Sequence, residues 1–319
     1  MKGVILDAGS LGKGEVDLSP ITDLLDEWQV YGTSSPTETI ERIGEATVVL
    51  SNKIVLDEEK FSIAGKLRLI SVMATGTNNI DLDAAKRADI TVSNAVAYAT
   101  PSVVQHTISL MLALSTNLPA YIHDVKSGAW QKAPAFCMLD HPISELDGKV
   151  LGIVGFGELG SSVAAVARAL GMKVLISQRP GCTNESKYRL PFDDLISEVD
   201  YLSLHCPLTA ETENLVNLAT LKKMKSSAFL INTARGGLVD AADLLQALGS
   251  NIIAGAAVDV LNTEPPPEND LLTNANQNNL IVTPHNAWGA IESRQRLVQQ
   301  MADNINGFLT GKPIRVVTK

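Results

Sequence analysis

Cysteine is scarce in this chain. Cys137, Cys182 and Cys206 are the only three in 319 residues, an odd number without C-x-x-C spacing. That argues against a disulfide framework and against a zinc site, and no metal is expected. Basic runs are also missing. Against 35 Asp and Glu stand 26 Lys and Arg, and the net charge of −9 is spread along the chain. A protein that reads nucleic acid carries a basic face, so no nucleic-acid partner is expected. Asp7 interrupts the N-terminal residues before an apolar core can form, so no secretory signal is read. From Ile90 to His123 there is no Asp, Glu, Lys or Arg, a stretch long enough to cross a bilayer. Asn94, Pro101, Gln105, His106, Asn117 and Pro119 interrupt it, which favours a helix buried between domains or subunits. The expectation is a soluble, cytoplasmic protein with no membrane contact. Its length and its 45% apolar content suit about two globular domains.

Short runs rich in Val, Ile and Leu alternate with helical patterns, and no internal repeat is present. Residues 4–6, 48–50, 69–72, 92–94, 151–154, 174–177, 201–204, 229–232, 254–259 and 280–282 read as buried strands. Residues 36–44, 101–117, 159–170, 220–224, 241–248 and 290–308 read as helices. Strand then helix, without the spacing of a meander, predicts an α/β protein with parallel sheets covered on both faces. The strongest strand–turn–helix signature begins at Leu151, in mid-chain. We therefore expect two doubly wound domains. A Rossmann dinucleotide-binding domain at 99–286 is inserted into a smaller, flavodoxin-like substrate domain made of 1–98 plus 287–319.

The segment LGIVGFGELG places Gly155, Gly157 and Gly160 after a Val/Ile-rich strand and ahead of an Ala-rich helix that opens with Glu158 and Leu159. In G-x-G-x-x-G the first glycine makes the tight turn, the second lets backbone approach a pyrophosphate, and the third permits close strand–helix packing. The phosphates then meet the free N–H groups of the helix N-terminus. At the end of the second strand an NAD enzyme usually places a carboxylate. This chain has Gln178 and then Arg179. A neutral amide does not repel a 2′-phosphate and a guanidinium pairs with one. The cofactor is therefore NAD or NADP, tilted towards NADP, with NAD held through Gln178 as the other reading. Glu158 is a departure, because an acid beside a pyrophosphate repels it unless it points to solvent.

Three later segments carry reactive side chains at or beyond strand ends: Arg235 in INTARGG, Asp259 and Glu264 in AAVDVLNTEPPP, and His285 in IVTPHNAW. Arg, carboxylate and His converging at strand C-termini suit reduction of a 2-oxo acid. Arg clamps the substrate carboxylate, His protonates the carbonyl oxygen as hydride arrives, and Glu orients the His and stabilises the imidazolium.

These segments, with MATGTNNIDL (73–82), LHCPLT (204–209) and the glycine turn, resemble the D-isomer-specific 2-hydroxyacid dehydrogenase family over nearly the whole chain. SNKIVL (51–56), the stretch 136–157 and Trp288 resemble its glycerate dehydrogenase, or hydroxypyruvate reductase, branch. The resemblance implies Arg235, Glu264 and His285 as the catalytic set, with backbone N–H groups near Thr75 and Gly76 cradling the substrate carboxylate. It implies that Asp259 orients the nicotinamide carboxamide. Cys206–Pro207 and Thr233–Ala234 would line the cofactor cleft, and a homodimer would form through the cofactor domain. Trp288 is read evenly as core or as a wall of the substrate pocket. His106, His123, His141 and His205 are left as structural or surface groups, and Cys206 as apolar filler. The expected activity is reduction of hydroxypyruvate or glyoxylate to D-glycerate or glycolate. The rivals are another acid of the same family (phosphoglycerate, D-lactate, formate) and a non-catalytic NAD(H) sensor, which would consume no reduced cofactor.

Overall fold

Val48–Ser51 and Leu69–Val72 are buried at every position, which a strand achieves only with helices on both faces of its sheet. A computed structural model describes residues 1–179 and 188–318, so Cys182 lies outside the described residues. The chain divides into two compact units, Met1–Ala99 with Gly289–Lys319, and Thr100–Trp288.

In the first unit, β1 (Lys2–Ile5), β2 (Glu27–Val30), β3 (Val48–Ser51), β4 (Leu69–Val72) and β5 (Thr91–Ser93) pair in parallel in the order β2-β1-β3-β4-β5. This is the flavodoxin-like winding, which changes direction between β1 and β3. Val4, Leu6, Val49, Leu56, Ile70 and Val92 form part of its core. Its helices begin at defined caps. Ser35 and Glu38 make a reciprocal capping box ahead of Pro36–Ile43, and Asp57 and Asp81 cap Glu58–Ile63 and Leu82–Arg87. Each such cap contributes about 1 kcal/mol. The last helix, Ile291–Leu309, belongs to this unit and buries Leu297, Val298, Met301, Ala302 and Ile305, a stripe at helical spacing. Beyond it Val316 bridges Ser93 antiparallel, and the Val317 N–H donates to the Val92 carbonyl at 2.8 Å. The open edge of β5 is thereby covered.

The second unit holds β6 (Val150–Val154), β7 (Lys173–Ile176), β8 (Tyr201–Leu204), β9 (Phe229–Asn232), β10 (Gly255–Val258) and β11 (Leu280–Val282). They form a parallel sheet in the order β11-β10-β9-β8-β6-β7. Leu190 adds one parallel bridge outside β7: the Gln178 N–H donates to its carbonyl at 2.8 Å, and its N–H donates to Ile176 at 2.9 Å. With that rudimentary strand counted, the winding is that of a Rossmann sheet, and it changes direction between β6 and β8, where such sheets bind ligands.

Both expected parallel α/β sheets are present. The differences lie at the margins. β2 carries Glu27 and Gln29 and is half-exposed, so its apolar signal is too weak to read. The short helices Glu58–Ile63, Leu82–Arg87 and Phe192–Glu198 span less than two full turns, too few for a clear period. The helix expected at 220–224 lies at Leu218–Leu221 because Asn217 caps it. The uncharged helix ends at Ser115; Asn117 turns left-handed at φ 49°, and a separate helix, Leu118–Lys126, follows with Pro119 in its first turn. Among the described residues no helix is long and apolar enough to cross a membrane.

Candidate active site

The glycine turn follows β6 at the point where the winding reverses. Gly155 sits at φ 95°, and a Cβ there would meet the Cys206 amide nitrogen at 2.5 Å. A Cβ on Gly160 would meet the Gly155 carbonyl oxygen at 2.1 Å. Both positions therefore require glycine for packing reasons alone. Gly157 differs, since a Cβ built on it meets nothing within 4 Å. It caps the helix Glu158–Ala169, whose first-turn N–H groups receive no side-chain cap. An open approach to the backbone and uncapped N–H groups at a helix N-terminus fit a dinucleotide pyrophosphate. Glu158 does not oppose this. Its side chain is exposed and accepts from Thr100 Oγ1 at 2.6 Å. Leu159 and Gly160 follow in the same turn. Gln178 is half-buried and Arg179 exposed at the end of β7.

His205 and Cys206 form the other wall of this turn. The His205 N–H donates to Val154 at 2.7 Å, and its Nε2 lies 2.9 Å from Ser203 Oγ. Burial pushes the imidazole down to about 4, and its buried Nδ1 has no partner among the described residues. Cys206 is buried, and that burial pushes its thiol up, as an inert filler requires. Pro207 follows it.

The three reactive segments leave adjacent strands in register. Asn232 of β9 pairs with Val258 of β10, which pairs with Val282 of β11. Arg235 leaves β9 exposed, after the buried Thr233 and Ala234, and its Nη1 donates to the Ala234 carbonyl at 2.7 Å. Among the described residues no carboxylate pairs with it. Its backbone is fixed by Asn232, whose Nδ2 donates to the Arg235 carbonyl at 2.8 Å. Glu264 Oε2 lies 2.5 Å from His285 Nδ1, while Glu264 Oε1 accepts the Leu261 N–H at 2.9 Å. The carboxylate is thus held on both sides. His285 itself is left-handed at φ 50°, a strained conformation for any residue but glycine. Trp288 is half-buried, and its indole N–H donates to the His285 carbonyl at 3.0 Å.

Asp259 explains how that strain persists. It is 1% exposed, and Oδ1 accepts from Thr283 Oγ1 at 2.5 Å and the Asn286 N–H at 3.0 Å, while Oδ2 accepts the Ala287 N–H at 2.9 Å. Burial alone would raise its carboxyl, but the bonds from His106, Thr283 and the loop amides hold it below the usual carboxylate range. The carboxylate is compensated within the chain, on both flanks of His285. His106 Nε2 lies 3.0 Å from Thr283 Oγ1 and 3.4 Å from Asp259 Oδ1. The sequence reading of His106 as a structural or surface group does not contain these contacts.

In the first unit Thr75 is exposed and Gly76 half-buried, in the loop after β4. The buried Asn94 donates from Nδ2 to the Thr75 carbonyl at 2.8 Å. At the winding reversal between β1 and β3, Asp7 accepts the N–H groups of Asn52 and Lys53 at 2.9 and 2.7 Å. Burial raises its carboxyl despite these bonds.

Residues 108–287 match the family described as D-isomer specific 2-hydroxyacid dehydrogenase, NAD binding domain. The chain is 43% identical over 295 residues to a glycerate dehydrogenase of Methylorubrum extorquens, covering 91% of this chain and 92% of that protein. It is 39% identical over the full length of both proteins to a hydroxypyruvate reductase of Blautia hydrogenotrophica. A D-lactate dehydrogenase of Aquifex aeolicus, solved with NAD and lactic acid, superposes with a TM-score of 0.82 at 27% identity, covering 100% of this chain and 99% of that one. The glycine turn, the strand-end Arg, Glu and His, and these matches agree: the chain belongs to the D-isomer specific 2-hydroxyacid dehydrogenase family, as a nicotinamide-dependent oxidoreductase.

Proposed function

We propose that the chain reduces hydroxypyruvate, and with it glyoxylate, to D-glycerate and glycolate, using His285 as proton donor, Glu264 as its partner and Arg235 as the substrate clamp. The observation that carries this reading is the 2.5 Å contact between His285 Nδ1 and Glu264 Oε2. A carboxylate only accepts, so the Nδ1 proton faces Glu264 and Nε2 is left to give or take the substrate proton. Arg235 presents its guanidinium with a single backbone acceptor, ready for bidentate binding of a 2-oxo carboxylate. Backbone N–H groups near Thr75 and Gly76 are read as further donors to a substrate carboxylate, and Trp288 as a wall of the pocket.

When bound, the nicotinamide supplies hydride to the substrate's C2 and takes it back in the reverse reaction. Gly155, Gly157, Glu158, Leu159 and Gly160 hold its pyrophosphate through backbone. Cys206–Pro207 and Thr233–Ala234 line its cleft, and Asp259 keeps a lone pair on Oδ2 for the carboxamide. Exposed Arg179 beside Gln178 favours NADPH, since neither side chain repels a 2′-phosphate.

We further read the enzyme as a cytoplasmic homodimer through the second unit. The helix Leu118–Lys126 has no buried residue. Leu118, Ile122, Val125, Trp130, Phe136, Leu139 and Ile143 are all exposed, Phe136 at 91%. An apolar arm of this kind is covered by a second copy.

The test is initial-rate oxidation of NADH and NADPH with hydroxypyruvate, glyoxylate, pyruvate and phosphohydroxypyruvate, in the parent and in Arg235→Ala. The expected result is highest kcat/KM with hydroxypyruvate and a loss of about 10²-fold or more in the variant, the scale of one bidentate charge-assisted pair. A higher kcat/KM with pyruvate or phosphohydroxypyruvate overturns the substrate assignment.

A further inference from the structure

The helix Thr100–Ser115 has no charged side chain, yet Thr100, Ser102, His106 and Thr107 each bond to a residue outside it. Thr100 Oγ1 donates to Glu158 beside the glycine turn at 2.6 Å. Ser102 Oγ donates to the Ala287 carbonyl at 2.6 Å. His106 meets Thr283 at 3.0 Å, and Thr107 Oγ1 meets Thr233 Oγ1, two residues before Arg235, at 3.1 Å. Ser102 and His106 are four apart and therefore share a helix face. We propose that this helix is the positioning element of the site, and that His106 acts through Thr283 and Asp259 as a positioning residue for His285. The proposal rests on the function proposed above.

The direction of the hydrogen bonds follows from what each group can give. Asp259 is an acceptor only, so the Thr283 hydroxyl proton goes to Oδ1. The Thr283 oxygen then has a lone pair facing His106, and His106 donates from Nε2–H. Asp259 in turn receives the N–H groups of Asn286 and Ala287, and Ser102 holds the Ala287 carbonyl. The loop is therefore pinned at residue 283 and at 286–287, and His285 lies between the pins in its left-handed conformation. Such a conformation persists only where neighbours over-determine it. With one pin removed, His285 relaxes towards ordinary backbone and its Nε2 leaves the line of proton transfer. His106 touches neither substrate nor cofactor in this account, and its effect runs through the loop.

Four variants test this: Thr283→Val and His106→Leu break the chain of donors, while Thr283→Ser and His106→Gln keep a hydroxyl and a reaching N–H. Two properties are measured. One is kcat alongside KM for hydroxypyruvate and the dissociation constant of the reduced cofactor. The other is the emission of Trp288, whose indole N–H holds the His285 carbonyl, isolated by difference against Trp288→Phe in each background and recorded without substrate or cofactor. Thr283→Val and His106→Leu should lower kcat by about tenfold or more, the scale of a misplaced reacting group, and shift the Trp288 emission. Cofactor affinity should change less than kcat. The Ser and Gln variants should keep both properties near the parent. Unchanged kcat or unchanged emission in Thr283→Val and His106→Leu overturns the proposal. So does a loss in the Ser and Gln variants as large as in Val and Leu, because packing rather than the donor chain would then hold the loop. A parent that oxidises no cofactor with any 2-oxo acid overturns the function instead, and the emission comparison still decides the clamp.

Discussion

In the proposed function His285 divides two tasks between its nitrogens: Nδ1 meets Glu264 and Nε2 carries the substrate proton. With Nδ1 committed to Glu264, Nε2 must be protonated to reduce a 2-oxo acid and neutral to oxidise a 2-hydroxy acid. The pH profile of kcat/KM for reduction should therefore fall at alkaline pH, and that for oxidation should fall at acid pH. Coincident profiles would remove His285 from the proton path. His205 gives a second pH effect of another kind. Its folded value of about 4 lies below the ordinary value of 6.5. Between the two the unfolded chain binds the extra proton, so stability is full above the higher value and falls with acidification through that window. The loss approaches about 3 kcal/mol when the window has been crossed. Denaturant unfolding at neutral and acid pH should show a smaller acid loss in His205→Gln than in the parent. An equal loss would place the acid sensitivity elsewhere.

At the scale of elements, the strand β6, its turn and the helix Glu158–Ala169 separate packing from binding. A Cβ on Gly155 or Gly160 would strike backbone, whereas one on Gly157 would meet nothing within 4 Å. Gly157→Ala should leave thermal unfolding within a few degrees of the parent, since its Cβ enters open space, and should weaken cofactor binding about tenfold or more by filling the gap the pyrophosphate needs. A large fall in unfolding temperature with unchanged cofactor affinity would reverse the two roles. This element was legible in the sequence because backbone geometry forces glycine at fixed spacing. The placement of Arg235, Glu264 and His285 beyond the ends of adjacent strands was legible because each follows a short apolar run. The contact of His106 with Thr283 spans 177 positions, and no local pattern encodes it. The uncharged helix was visible as an element, but read for what covers it rather than for what its hydroxyls hold. β2 was invisible because an edge strand with Glu27 and Gln29 carries no apolar run.

At the scale of the molecule, two sheets of the same winding serve different ends. In the first Asn94 holds the Thr75 carbonyl beyond β4; the second carries the glycine turn and the charged strand ends. In the proposed homodimer the exposed apolar side chains at 118–143 form the interface. Phe136→Asp with Leu139→Asp should shift the protein from dimer to monomer in sedimentation velocity, and a parent already monomeric would contradict the homodimer. Arg179→Ala should raise the KM for NADPH about tenfold and leave that for NADH nearly unchanged, since one charge-assisted pair with a 2′-phosphate is lost. Equal effects on both cofactors would assign Arg179 to the surface.

The most direct test of the account is hydroxypyruvate-dependent oxidation of the reduced cofactor in parent and His285→Asn, with cofactor affinity measured on the same samples. Cofactor binding should stay close to that of the parent while kcat falls about 10²–10⁴-fold, the contribution of a positioned general acid. A variant that binds cofactor and turns over hydroxypyruvate at the parental rate would contradict it.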